Sequence, residues 1–198
     1  LSTKKFKILF LTLCLLVMAG AAGVYLFSGE FLPGPVRVRA DIKEIAGYKK
    51  WTKVNSVPQL MPAEVSALCA EASFTPASNS NHADRSQDKY FTVYVNEIGR
   101  EAMLTQKAPQ FPEGSIIVKE KLTNRNSKMP ELLTVMVKQK KGSNPETGDW
   151  EYMVTDGTGT RIDARGFLQN CQACHIGQKG ADYIFRTYLE EDTQKNLK

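Results

Sequence analysis

Cys171, Cys174 and His175 constrain this chain more than any other feature. The order Cys171-Gln172-Ala173-Cys174-His175 is the spacing used for covalent attachment of c-type haem. Two thiols three residues apart occupy neighbouring positions of a helical turn, where both reach the vinyl groups along one porphyrin edge. The next side chain, His175, then turns its imidazole toward the iron as proximal ligand.

Other uses of the same residues are weaker. A structural zinc ion wants four ligands, and the remaining Cys and His residues are Cys14, Cys69 and His82. Cys14 lies in an apolar run, so the set would be Cys171, Cys174, Cys69 and His82, which has no motif spacing. A thioredoxin-type redox pair expects alternating strands and helices around the cysteines, a pattern the sequence does not show. A plain structural disulfide is the third alternative. Cys69 reads as a small buried hydrophobe.

The N-terminus points to export. Lys4, Lys5 and Lys7 precede an uncharged, apolar stretch over residues 8–27. That length suffices for a membrane-spanning helix, while the small residues Ala19, Gly20, Ala21, Ala22 and Gly23 offer a cleavage site. An uncleaved anchor is favoured over a cleaved signal, because Val24, Tyr25, Leu26 and Phe27 continue the apolar run. In both cases the positive end stays in the cytoplasm. The chain is expected in the periplasm, held to the inner membrane wherever the helix is retained. Residues 1–28 are thus read as signal or transmembrane anchor, 29–40 as a Gly/Pro linker and 41–198 as one haem domain. The net charge of +5 is mild, and no basic stripe is interleaved with aromatics, so nucleic acid is not expected as a partner.

Within the domain, residues 62–72 read as a helix with Pro62 at its first position and Val65, Leu68, Cys69 and Ala72 on one face. Residues 74–88 form a polar loop. Strands are expected over 90–96, 115–122, 132–140 and 150–155, and helices over 97–107 and 167–175. Asn144, Pro145 and Gly148 give the connection at 142–149 hairpin-like turn chemistry. The expected fold class is α+β: mainly an antiparallel sheet of four to five strands with a few helices, preceded by an N-terminal hydrophobic helix.

The far side of the iron decides function. No Met or His follows the motif. His82 reads as a solvated loop residue, and Met103, Met129, Met136 and Met153 read as core filler. An open distal site is therefore expected, suited to binding or activating a small molecule.

Several further stretches carry a family likeness: Tyr48-Lys49-Lys50-Trp51; Phe111-Pro112-Glu113-Gly114-Ser115-Ile116-Ile117-Val118-Lys119-Glu120; Gly148-Asp149-Trp150-Glu151-Tyr152; and the Cys-Gln-Ala-Cys-His run. In this order the sequence resembles cytochrome P-460 and its relative, the beta-type cytochrome c prime, from about Tyr48 to Tyr188. The resemblance implies a single haem c with iron and oxidation of hydroxylamine. It implies a covalent link from Lys119 to the macrocycle, a periplasmic electron acceptor and a possible homodimer. The beta-type relatives imply instead NO or CO binding in an apolar pocket without turnover. Plain electron transfer ranks third.

Strand alternation puts Ser115, Ile117 and Lys119 on one face and Ile116, Val118 and Glu120 on the other. By itself it reads Lys119 and Glu120 as surface charges. Oxidising members carry an arginine on the strand matching 90–96. Here that strand offers Phe91, Val93 and Tyr94, and the nearest arginine before it is Arg85. Phe91 is the expected cap of the distal face. The family's proton-moving carboxylate has Asp163 and Glu97 as candidates.

Overall fold

The computed structural model describes residue 40, residues 42–71 and residues 88–198, with the backbone alone for 69–71. The apolar segment at 8–27, residues 29–39 of the linker, residues 74–87 of the polar loop, and with them His82 and Arg85, lie outside the described residues. Among the described residues no helix is long and apolar enough to cross a membrane.

The frame is one seven-stranded sheet in which every pairing is antiparallel. Its strands are β1 (Thr52–Lys53), β2 (Gln59–Met61), β3 (Lys89–Val95), β4 (Ile116–Leu122), β5 (Leu132–Lys138), β6 (Trp150–Asp156) and β7 (Ile162–Gly166). Strands β3 to β7 follow one another in space, and both β1 and β2 pair with the outer side of β3. The four long strands agree with the alternation in the sequence. The expectation of four to five strands falls short because β1 and β2, of two and three residues, are too brief to show a period. In β7, Asp163, Arg165 and Gly166 interrupt the apolar pattern.

Five helices accompany the sheet among the described residues: α1 (Ile42–Ala46), α2 (Ala63–Glu71), α3 (Glu97–Leu104), α4 (Gln169–His175) and α5 (Glu191–Lys195). Asn96 caps α3, its side-chain oxygen accepting from the Gly99 N–H at 3.1 Å. Pro62 stands just before α2, not inside it.

Both faces of the sheet are covered. On one, Ile45 and Tyr48 pack on Ile116, Val118, Leu133, Val135 and Val137. On the other, Val93, Val95, Ile117, Met136, Trp150 and Tyr152 meet Tyr183, Ile184 and Leu189 from the C-terminal segment. The register Val93↔Lys119↔Thr134 puts Lys119 on this second face.

Glu120 consequently faces the first layer and is not a surface carboxylate. It is 6% exposed, accepts from the Tyr48 hydroxyl and lies 3.8 Å from Lys49 Nζ. Burial and this carboxylate push the Tyr48 hydroxyl well above the usual phenol range. The α2 face is also corrected. Val65 and Leu68 are 40% and 47% exposed, while Ser66 is buried and its carbonyl accepts from Lys121 Nζ at 3.2 Å. Met103, Met136 and Met153 are buried as expected, but Met129 is exposed.

Candidate functional site

Helix α4 carries Cys171, Cys174 and His175 on two turns. A tight 3-10 stretch, Ile176–Ala181, continues it and ends at Asp182 and Tyr183, whose φ angles are 51° and 65°. These left-handed residues reverse the chain. The Tyr183 carbonyl thereby returns to His175 and accepts from Nδ1–H at 2.7 Å. With Nδ1 so engaged, Nε2 keeps its lone pair for a metal. The imidazole is flanked by Tyr152, with ring centroids 5.5 Å apart, and by Phe185 at 5.1 Å.

Burial pushes His175 down to about 4, and the Lys119 charge adds to the effect against the opposing bond to Tyr183. The ring is neutral at pH 7, the form that ligates iron. A consequence follows for the chain before haem attachment. As pH falls below 6.5 the unfolded chain takes up the proton first, and the folded chain follows only near 4. Stability is fully present above that window and declines across it, by about 3 kcal/mol for a change of this size. Urea unfolding of a Cys171→Ala/Cys174→Ala chain between pH 7 and 4 is expected to show this loss. Adding His175→Phe is expected to remove it; an unchanged slope would refute the assignment.

Cys171, Cys174 and His175 line a cavity of about 270 Å3. Its sheet wall is Phe91, Val93, Ile117, Lys119, Thr134, Met136 and Tyr152. Leu60, Met61, Val65 and Leu68 close a second side, and Ile184, Phe185 and Tyr188 a third. Asn170 ties α4 to α2, donating to the Leu68 carbonyl at 3.1 Å. Lys119 Nζ lies 6.0 Å from the Phe91 ring centroid, and Phe91 meets Tyr188 edge-on at 5.6 Å.

The sequence-predicted residues Phe91, Lys119, Cys171, Cys174 and His175 therefore share one cavity. The two candidate acids do not. Asp163 pairs with Arg161 at 2.8 Å on β7, and Glu97 with Arg100 at 3.0 Å at the start of α3. Neither lines the cavity, and among the described residues no carboxylate does. Sequence reasoning missed Tyr152, Tyr183, Phe185 and Tyr188. The aromatic run just after the motif is the one signal that could have found the last three.

The residues present fit a haem. The walls are mainly apolar, as the porphyrin faces require, two thiols and a neutral imidazole converge on the space, and the Tyr152 hydroxyl is buried without a hydrogen-bond partner. A thioredoxin-type pair is at odds with the wholly antiparallel sheet. Among the described residues no cluster of three or more His, Cys, Asp or Glu could hold a metal ion by itself; the side chains of Cys69 and His82 lie outside them.

An antiparallel sheet that presents a C-terminal Cys-x-x-Cys-His helix to an apolar cavity has the layout of a c-type haem domain. Comparison with family models is specific: that of cytochrome P460 matches residues 45–186, and the chain belongs to the cytochrome P460 family. Membership implies a haem cofactor. A search of curated proteins finds no match.

Proposed function

We propose that this chain is a mono-haem c-type cytochrome that oxidises hydroxylamine or a related small nitrogen compound outside the cytoplasm. Haem is joined to Cys171 and Cys174, and His175 is the iron ligand. Lys119 is the residue that bonds to the macrocycle: its amine replaces one ring hydrogen, an N–H and a C–H bond break, two protons are released, and two electrons pass to an external oxidant during maturation. The observation that carries the reading is that Lys119, on a strand far away in sequence, lines the same cavity as the three motif residues and is the one charged side chain among the described lining.

When bound, the haem would supply an iron able to take a small ligand and to exchange single electrons. The chain's own residues do the rest. The Tyr183 carbonyl holds the His175 tautomer. Phe91, Val93 and Ile117 keep bulk water out and admit only a small molecule. Thr134 and Tyr152 bring hydroxyls to the wall that can pass protons. Electrons leave to a periplasmic acceptor, in keeping with an apolar N-terminal segment that directs or anchors the chain.

A second reading is capture of NO or CO without turnover. It is favoured by Phe91, which lies beside Lys119 on the strand that carries an arginine in the oxidising members the sequence resembles.

The test is digestion of mature protein followed by mass analysis, with an anaerobic hydroxylamine assay. The expected result is haem mass on the Lys119 peptide as well as the Cys171 peptide, and reduction of an acceptor dye. An unmodified Lys119 with no dye reduction, alongside CO and NO difference spectra, selects the second reading. A six-coordinate low-spin spectrum would overturn both in favour of electron transfer.

A further inference from the structure

His175 is held by a backbone carbonyl, so whatever fixes that carbonyl acts on the ligand. The carbonyl belongs to Tyr183, the second of two consecutive non-glycine residues in the left-handed region. Such a pair is sterically unfavourable and persists only where its surroundings hold it.

Here the surroundings are specific. The Asp182 carboxylate accepts from Lys138 Nζ at 2.6 and 2.7 Å and from the Phe111 N–H at 2.9 Å. Its carbonyl accepts from Trp150 Nε1 at 2.8 Å. Lys138 Nζ donates as well to the Gly148 carbonyl at 2.8 Å, and the Tyr183 hydroxyl donates to the Glu146 carbonyl at 3.0 Å. The Tyr183 ring lies against Gly148, where a Cβ would stand 2.4 Å from the ring and φ is +67°. Lys138 and Asp182 are both largely buried. One end of β5, the start of β6 and the connection between them thus grip the two residues that deliver the carbonyl.

We propose that the Lys138–Asp182 ion pair, with the β5–β6 connection, is a positioning device for His175: it holds the Tyr183 carbonyl on Nδ1–H and so sets how strongly the imidazole donates to the haem iron. An acceptor on Nδ1–H makes Nε2 a stronger donor, which favours the ferric state. Loosening the grip weakens that donation and raises the reduction potential. The inference rests on haem attachment at Cys171 and Cys174. Failure of that reading shows as a colourless parent protein, whereas failure of this one shows as a coloured variant with unchanged properties.

The test uses the full mature chain. Asp182→Asn removes the charge, keeps the side-chain size and tolerates a left-handed backbone. It is expected to shift the reduced-to-oxidised ratio at a fixed poise tenfold toward reduced, a rise of about 59 mV for one electron. The ferrous iron–histidine stretch is expected to move to lower frequency. Lys138→Met/Asp182→Asn removes both charges and leaves no lone buried ion, so it decides the matter where the single variant fails to fold. As a control, Arg165→Leu breaks the 2.9 Å Arg165–Glu151 pair on the opposite sheet face. It is expected to lower Tm and leave the potential unmoved. The proposal is overturned by a folded, coloured variant with parental potential and stretch. A folded variant that takes up no haem overturns it too, as does an equal potential shift in the control.

Discussion

Replacing Cys171 and Cys174 together with alanine is expected to give a chain that carries no haem on a denaturing gel and melts about 10 °C below the parent. The first part follows from chemistry. With both thiols gone there is no bond to survive denaturation, and His175 alone holds a group only by coordination. The second part follows from the cavity. At about 24 cal/mol per Å3 of apolar void, about 270 Å3 corresponds to about 6 kcal/mol. The rim residues Leu60, Val65 and Leu68 are exposed, so a cavity emptied of haem is open to partial filling by water, and roughly half of that, about 3 kcal/mol, is the expected loss. For a domain of this size that is about 10 °C in Tm. The single variants separate the two thiols. Cys171 packs against the core, whereas Cys174 is exposed. Cys174→Ala is therefore expected to keep one thioether, and with it gel-stable haem. Gel-stable haem in the double variant, or a parent that binds zinc in place of pigment, would remove the basis of the proposed function.

What could be read from the sequence was set by how local each signal is. The haem motif is legible because covalent chemistry fixes the spacing of Cys171, Cys174 and His175 within one element. Strands β3 to β6 are legible because seven residues each are enough to show alternation. Alternation also paired Lys119 with Ile117 on one face, but which face meets the cavity depends on the layers stacked on the sheet, and only the family likeness pointed there. Glu120 shows the limit most clearly. Its partner Tyr48 is 72 residues away, in a three-residue turn with no period, so nothing local marks the carboxylate as buried. The α2 face misled for a related reason. Val65 and Leu68 border a cavity mouth, which a helical pattern cannot distinguish from a core. The Tyr183 carbonyl had no signature at all, since a backbone acceptor leaves no mark on residue identity. Asp182 gave only the weak hint that Asp enters the left-handed region more readily than most residues.

Lys119→Met is expected to lower hydroxylamine oxidation by about 10–100-fold or more, the range for groups that tune a metal centre from beside it, while haem stays attached. Methionine keeps most of the stem that packs in the wall near Phe91 and removes the amine, so Tm is expected to change little. The haem mass expected on the parent's Lys119 peptide is then absent, and the Cys171 peptide retains it. Lys119→Arg then separates covalent from electrostatic roles. A guanidinium keeps the positive charge but stays protonated under all ordinary conditions, so it has no free electron pair with which to bond to the macrocycle. If Lys119 works through a bond, arginine fails as methionine does, and both variants resemble a gas-binding protein with CO and NO spectra but little turnover. If it works through its charge alone, arginine restores activity and the covalent assignment is wrong. Full turnover in Lys119→Met would be the more damaging result. It would mean that the one charged side chain among the described lining is incidental to the reaction, so the role given to Lys119 would fall while the oxidation itself stood.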